Sequence, residues 1–88
     1  MTQNKNFLMQ EVAGKQVVVP VGTAAVDFPG MITLNETGAE LWKMLETEQT
    51  EETLLAAILE QYDVTAEVAK ADIAAFVERL QKVGAIVG

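Results

Sequence analysis

The stretch ITLNETGAELW, residues Ile32 to Trp42, constrains the fold more than any other part of the chain. Met31 to Leu34 is apolar and β-prone, and Asn35 follows at once. Asn is a good helix N-cap, and Glu36 sits where the positive end of the helix dipole favours an acid. Leu34 before the cap and Ala39 after it fit a weak hydrophobic staple. Leu41, Trp42 and Leu45 then recur at helical spacing and predict a buried stripe. A strand thus runs into a capped helix with no loop between them. Gly38 costs about 1 kcal/mol against Ala inside a helix, so its presence points to close packing.

The chain before this junction reads as strands. FLMQEV and QVVVPV are two β-prone runs around Ala13-Gly14-Lys15, where Gly14 can take the positive φ of a tight hairpin. Pro20 lacks an N–H and belongs at a strand end or edge. Pro29-Gly30 predicts a turn before the third strand, with extended chain over Ala24 to Phe28.

The chain after it reads as helices. Thr50 caps a second helix with Leu54, Leu55, Ile58, Leu59 and Tyr62 on its apolar face. Thr65 caps a third, with Ala69, Ile73, Phe76, Val77 and Leu80 as its main stripe. Gly84 suits the position just past its end. Ala85 to Val87 tucks back or forms a short strand. Strands followed by helices predict an α+β domain, a three-stranded antiparallel sheet and then three helices. With 88 residues, one domain over 1–88 is expected.

Composition removes many functions. The chain has no Cys, His or Ser. Disulfides, thiolate metal sites, cysteine nucleophiles and the usual serine triads are excluded. A phosphopantetheine arm has no serine to hold it. No cofactor is expected, and a free-standing enzyme is disfavoured. No apolar run approaches the ~18 residues of a membrane span, and no signal peptide is legible, so the cytoplasm is the expected location.

Two features point to a binding surface. The third strand, Met31, Ile32, Thr33 and Leu34, carries no charge to blunt a free edge. On the third helix Val68, Asp72, Ala75 and Arg79 fall at i, i+4, i+7 and i+11, so they share one flank. Small side chains there leave a shallow trough, bracketed by opposite charges. A solvated flank of an alanine-rich helix would show the same spacing. Beside an open strand, however, such a trough is a template for β-strand addition.

The run ITLNETGAELWKML resembles the LN-x-(T/S)-(A/G)-x-x-(I/L)-W-x-x-(L/M) signature of the PqqD family. VAGKQVVVPVG, TEETLLAAILEQYDV and ADIAAFVERLQKVGAI resemble further parts of the same family, in order along nearly the whole chain. The resemblance implies a winged-helix-like fold. It also implies a RiPP recognition element, which binds the leader of a ribosomally made precursor peptide and presents it to a modifying enzyme, often a radical SAM protein. Carried over by position, the peptide-binding residues are Met31, Ile32, Thr33 and Leu34 on the strand. On the helix they are Val68, Asp72, Ala75, Phe76 and Arg79. Trp42 and Leu34 are expected to serve the core. The VPVG segment and the AAVDFPG connection depart from members that make pyrroloquinoline quinone and fit a member serving another peptide product.

A DNA-binding winged helix and a non-catalytic enzyme subunit are the competing readings. The net charge of −7 argues against the first. On the third helix Lys70, Arg79 and Lys82 are nearly cancelled by Glu67, Asp72 and Glu78, where a DNA reader would show a basic face. The expected result is therefore no saturable band shift with duplex DNA in about 100 mM salt. A saturable shift there would restore the DNA reading.

Overall fold

The computed structural model describes residues 1–22, 25 and 30–88. Among the described residues five strands and three helices follow one another: β1 (Thr2–Gln3), β2 (Phe7–Val12), β3 (Lys15–Pro20), β4 (Ile32–Leu34), α1 (Glu36–Met44), α2 (Glu51–Gln61), α3 (Ala66–Lys82) and β5 (Ile86–Val87). The architecture is α+β, as the order of patterns predicts. The strands β2-β3-β4 form an antiparallel sheet with β3 in the middle. Gln16 pairs with Leu34, Val17 with Thr33 and Val18 with Ile32. The third strand begins one residue later than expected, at Ile32 rather than Met31. The expected turn at Pro29-Gly30 and the extended chain over 24–28 fall mostly on residues outside those described; Ala25, which is described, is helical rather than extended.

The hairpin is tighter than the sequence suggests. Val12 pairs with Lys15, so only Ala13 and Gly14 form the loop. Both have positive φ, 53° and 79°. Two positive φ values mark the type I′ turn, whose twist matches that of the flanking strands.

Each helix starts where a cap was expected. Asn35 accepts from the Gly38 N–H at 2.7 Å. Thr50 and Thr53 form a reciprocal capping box, at 3.1 and 2.9 Å. Thr65 accepts from the Val68 N–H at 3.2 Å. α3 closes with a Schellman motif. The Ala85 N–H donates to the Leu80 carbonyl and that of Gly84 to Gln81, while Gly84 takes a φ of 82°.

The core lies between the inner sheet face and the helices. Phe7, Val18, Ile32 and Leu34 come from the sheet, Leu41, Trp42 and Leu45 from α1 and the residue after it, and Leu54 and Ile58 from α2. Ala69, Ile73, Val77 and Leu80 come from α3. Two expectations need adjustment. Leu59 is exposed, because it lies about 140° around α2 from Leu54. Tyr62 caps the C-terminus of α2 in extended conformation and is only half-buried.

A second, small sheet pairs β1 with β5; Ala85 to Val87 reads as an optional short strand, whereas no pattern in the sequence marks β1. Thr2 pairs with Val87 and Gln3 with Ile86. The Gln3 N–H donates to the Leu45 carbonyl and the Asn4 N–H to that of Ala85, both at 2.8 Å. The ends of α1 and α3 are thereby tied together.

Ala13 is the one non-glycine among the described residues with positive φ. A left-handed conformation costs an ordinary residue roughly 1–2 kcal/mol, and Asn tolerates it best. Ala13→Asn should therefore raise stability by about 0.5–1 kcal/mol. Urea unfolding followed by Trp42, the single tryptophan, measures this. An unchanged or lower midpoint would refute it.

Candidate functional site

β4 has one partner, β3, among the described residues. Its other edge pairs with no other strand among the described residues. Along the strand the side chains alternate: Ile32 and Leu34 are buried, while Thr33 is exposed. The period of two thus places one face in the core and leaves the outer edge for main-chain contacts.

The strand ends directly in the α1 cap. A Cβ at position 38 would lie 3.2 Å from Asn35 Oδ1 and 3.4 Å from Leu34 Cβ, so the first turn sits hard against the strand end. That is the packing Gly38 predicted. Trp42 is buried at 3% exposure and serves the core, as expected.

Beside the strand end opens a cleft of about 920 Å³. Thr33 and Leu34 line it from β4, and Asp72, Ala75, Phe76 and Arg79 line it from α3. Six of the nine residues singled out in the sequence therefore meet in one depression. Asp72, Ala75 and Arg79 are exposed; Phe76 is half-buried and packs on the core. The other three do not line the cleft. Ile32 faces the core, Met31 precedes the strand at 56% exposure, and Val68 stands 52% exposed in the first turn of α3.

Two walls escaped the sequence reading. One is the hairpin tip at Gly14, Lys15 and Gln16. The other is the polar face of α1, with Glu36, Glu40 and Lys43. Their i, i+4, i+7 spacing is the signal that could have found this second wall. Lys43 pairs with Glu40 at 3.7 Å. Behind this face Tyr62 lies near Glu36 and Glu40. Partial burial raises the pKa of its phenol, and the two carboxylates and a hydrogen bond to Glu36 raise it further. Among the described residues no cluster of acidic groups could hold a metal ion, and no helix is long and apolar enough to cross a membrane.

The family model of coenzyme PQQ synthesis protein D (PqqD) matches residues 15–86, most of the chain. The chain belongs to the PqqD family. Proteins of this family are non-catalytic peptide-binding domains, in keeping with a chain without Cys, His or Ser. No curated protein sequence matches it. Among solved structures, the fold is similar to TbiB1 in complex with the TbiA(beta) leader peptide. There the TM-score is 0.78 at 19% identity, over 100% of this chain and 96% of that one. It is also similar to lasso peptide synthetase B1 complexed with the leader peptide, with a TM-score of 0.74 at 20% identity, over 98% of this chain and 95% of that one. At such identities the likeness is one of fold.

The Tyr62 environment can be measured directly, since the chain has one tyrosine. Its folded pKa lies above the ordinary 10.0. The neutral phenol is thus favoured in the folded state. The resulting stabilisation is fully present below the unfolded pKa and is lost as pH rises through the folded one. Phenolate absorbance should titrate with a midpoint above 10.0, and Glu36→Gln should lower that midpoint. A wild-type midpoint at or below 10.0 would contradict the contact.

Proposed function

We propose that this protein is a RiPP recognition element. It binds the leader region of a ribosomally made precursor peptide as an added strand on β4, and presents the precursor to a modifying enzyme, a radical SAM protein or another class. Residues 1–88 act as one peptide-binding domain in the cytoplasm.

The observation that carries this reading is the edge of β4, unpaired among the described residues, beside a cleft walled by α3. An edge strand offers N–H and C=O groups at fixed spacing, which give affinity to any extended chain. The neighbouring cleft then selects side chains. Ala75 leaves room there, and half-buried Phe76 gives the floor an apolar patch. Family membership supports the same reading, as do two similar folds that carry leader peptides. Within the cleft Thr33, Leu34, Asp72, Ala75, Phe76 and Arg79 are the contact residues. Ile32 contributes through the strand backbone, Met31 from the residue just before the strand, and Val68 extends the flank of α3 beyond the cleft.

Ala75→Trp tests the site. Residue 75 is exposed and outside the core, so stability should change by no more than about 0.5 kcal/mol. Calorimetry with a synthetic leader peptide that binds the wild-type protein should show at least roughly tenfold weaker binding, because ~1.4 kcal/mol is enough for that. A folded Ala75→Trp variant that binds like wild type would place the peptide elsewhere.

A further inference from the structure

The hairpin determines which main-chain groups of β4 face its free side. A two-residue loop in a type I′ turn closes on a hydrogen-bonded pair, here Val12 with Lys15. In an antiparallel ladder such pairs alternate with pairs that exchange no bond. Counting along β3, Val17 and Val19 therefore turn their N–H and C=O toward β2, as Lys15 does. Gln16, Val18 and Pro20 turn theirs to the opposite side. Two observations check the count. Val21, next in the first set, donates its N–H to the Asn6 carbonyl at 2.7 Å. Pro20, with no N–H to donate, falls on a pair with Phe7 that needs none.

The count carries over to β4. Gln16 lies opposite Leu34 and Val18 opposite Ile32, so these are the bonded pairs. Thr33 lies opposite Val17, whose groups point to β2. The N–H and C=O of Thr33 are thus both turned outward, to the edge that pairs with no other strand among the described residues. Ile32 and Leu34 use theirs on β3. Within β4, Thr33 alone offers a donor and an acceptor to an incoming chain.

Resting on the peptide reading above, we infer that the main chain of Thr33 is the anchor of the bound peptide and fixes its register. Whichever way the peptide runs, Thr33 takes one N–H and one C=O from it. The N–H groups of an extended chain point alternately to its two sides. The ligand is therefore an extended segment that keeps an unsubstituted amide at the position donating to Thr33. It accepts proline or an N-methyl group at the adjoining residues, whose N–H points away from β4. Discrimination at this edge thus falls on the peptide backbone, with a period of two.

The probe is the tightest peptide selected from a random displayed library against the immobilised full chain, provided that Ala75→Trp abolishes its binding. It is resynthesised with one N-methyl amide at a time. N-methylation of the amide that meets Thr33 should weaken binding at least roughly tenfold, since it removes a bond and leaves the Thr33 carbonyl unpartnered. At either adjoining amide the loss should stay below about threefold. Thr33→Pro in the protein removes an N–H that makes no bond within the sheet. It should stay folded by circular dichroism and bind the unmodified peptide at least roughly fivefold more weakly. The scan needs no change to the protein, so it decides alone should Thr33→Pro unfold. A scan without alternation, or a folded Thr33→Pro variant that binds like wild type, would overturn the anchor and leave the peptide reading standing. No selected peptide that depends on Ala75 would overturn both.

Discussion

The hydrogen bond from the Gly38 N–H to Asn35 Oδ1, at 2.7 Å, fixes the part of the molecule on which everything else is arranged. It ends the strand and starts the helix within one residue. The Ala39 N–H then donates to the Asn35 carbonyl, at 2.9 Å, so the side chain of one residue satisfies one of the four free donors of the helix start while its main chain accepts the first helical bond. With no loop between them, β4 and α1 cannot change their mutual angle without breaking this cap. A cap is worth only about 1 kcal/mol. Its importance here is geometric: it holds two walls of the cleft, the strand and the α1 face with Glu36, Glu40 and Lys43, as one unit.

The third wall, α3, is held by different means. Its core stripe of Ala69, Ile73, Val77 and Leu80 packs into the common core, and its end is fixed by the chain termini. Asn4 bridges to α3 twice, through its N–H to the Ala85 carbonyl and its side-chain amide to that of Gly84. Gln3 reaches the end of α1, donating from its side-chain amide to the Trp42 carbonyl at 2.6 Å. Two adjacent polar residues thus clamp the C-terminal ends of the two helices that flank the cleft. For a domain this short, whose core is necessarily thin, such clamps complement apolar burial.

Most of the architecture was legible because its signals are local. Caps at Asn35, Thr50 and Thr65 and the stop at Gly84 each depend on residues within one turn. The stripes of α1 and α3 likewise follow helical spacing. The miss at β1 has the opposite cause. Thr2 and Gln3 have no apolar alternation, and their pairing partners lie more than eighty residues away. Nothing near Gln3 in the sequence encodes a bond to Trp42. Leu59 was misplaced for a third reason: the apolar face of α2 was drawn too wide. The candidate site was legible where it uses the strand edge and the α3 flank. Its other walls were hidden because charged residues on α1 and at the hairpin tip look like ordinary solvated surface until the fold turns them toward Ala75 and Arg79.

An unpaired strand edge is also a hazard, since one copy of β4 could pair with another. The usual remedy, a charged residue on the edge strand itself, is absent from Ile32, Thr33 and Leu34. The strand is only three residues long, which limits the gain from edge-to-edge pairing. The negative excess supplies a second defence. Two copies approaching edge to edge would bring −7 against −7 within a Debye length of roughly 8–10 Å, where repulsion is little screened. A short peptide carries no such body and meets a cleft lining with no net charge. The same charge distribution therefore opposes self-association at the edge while leaving it open to a small extended ligand.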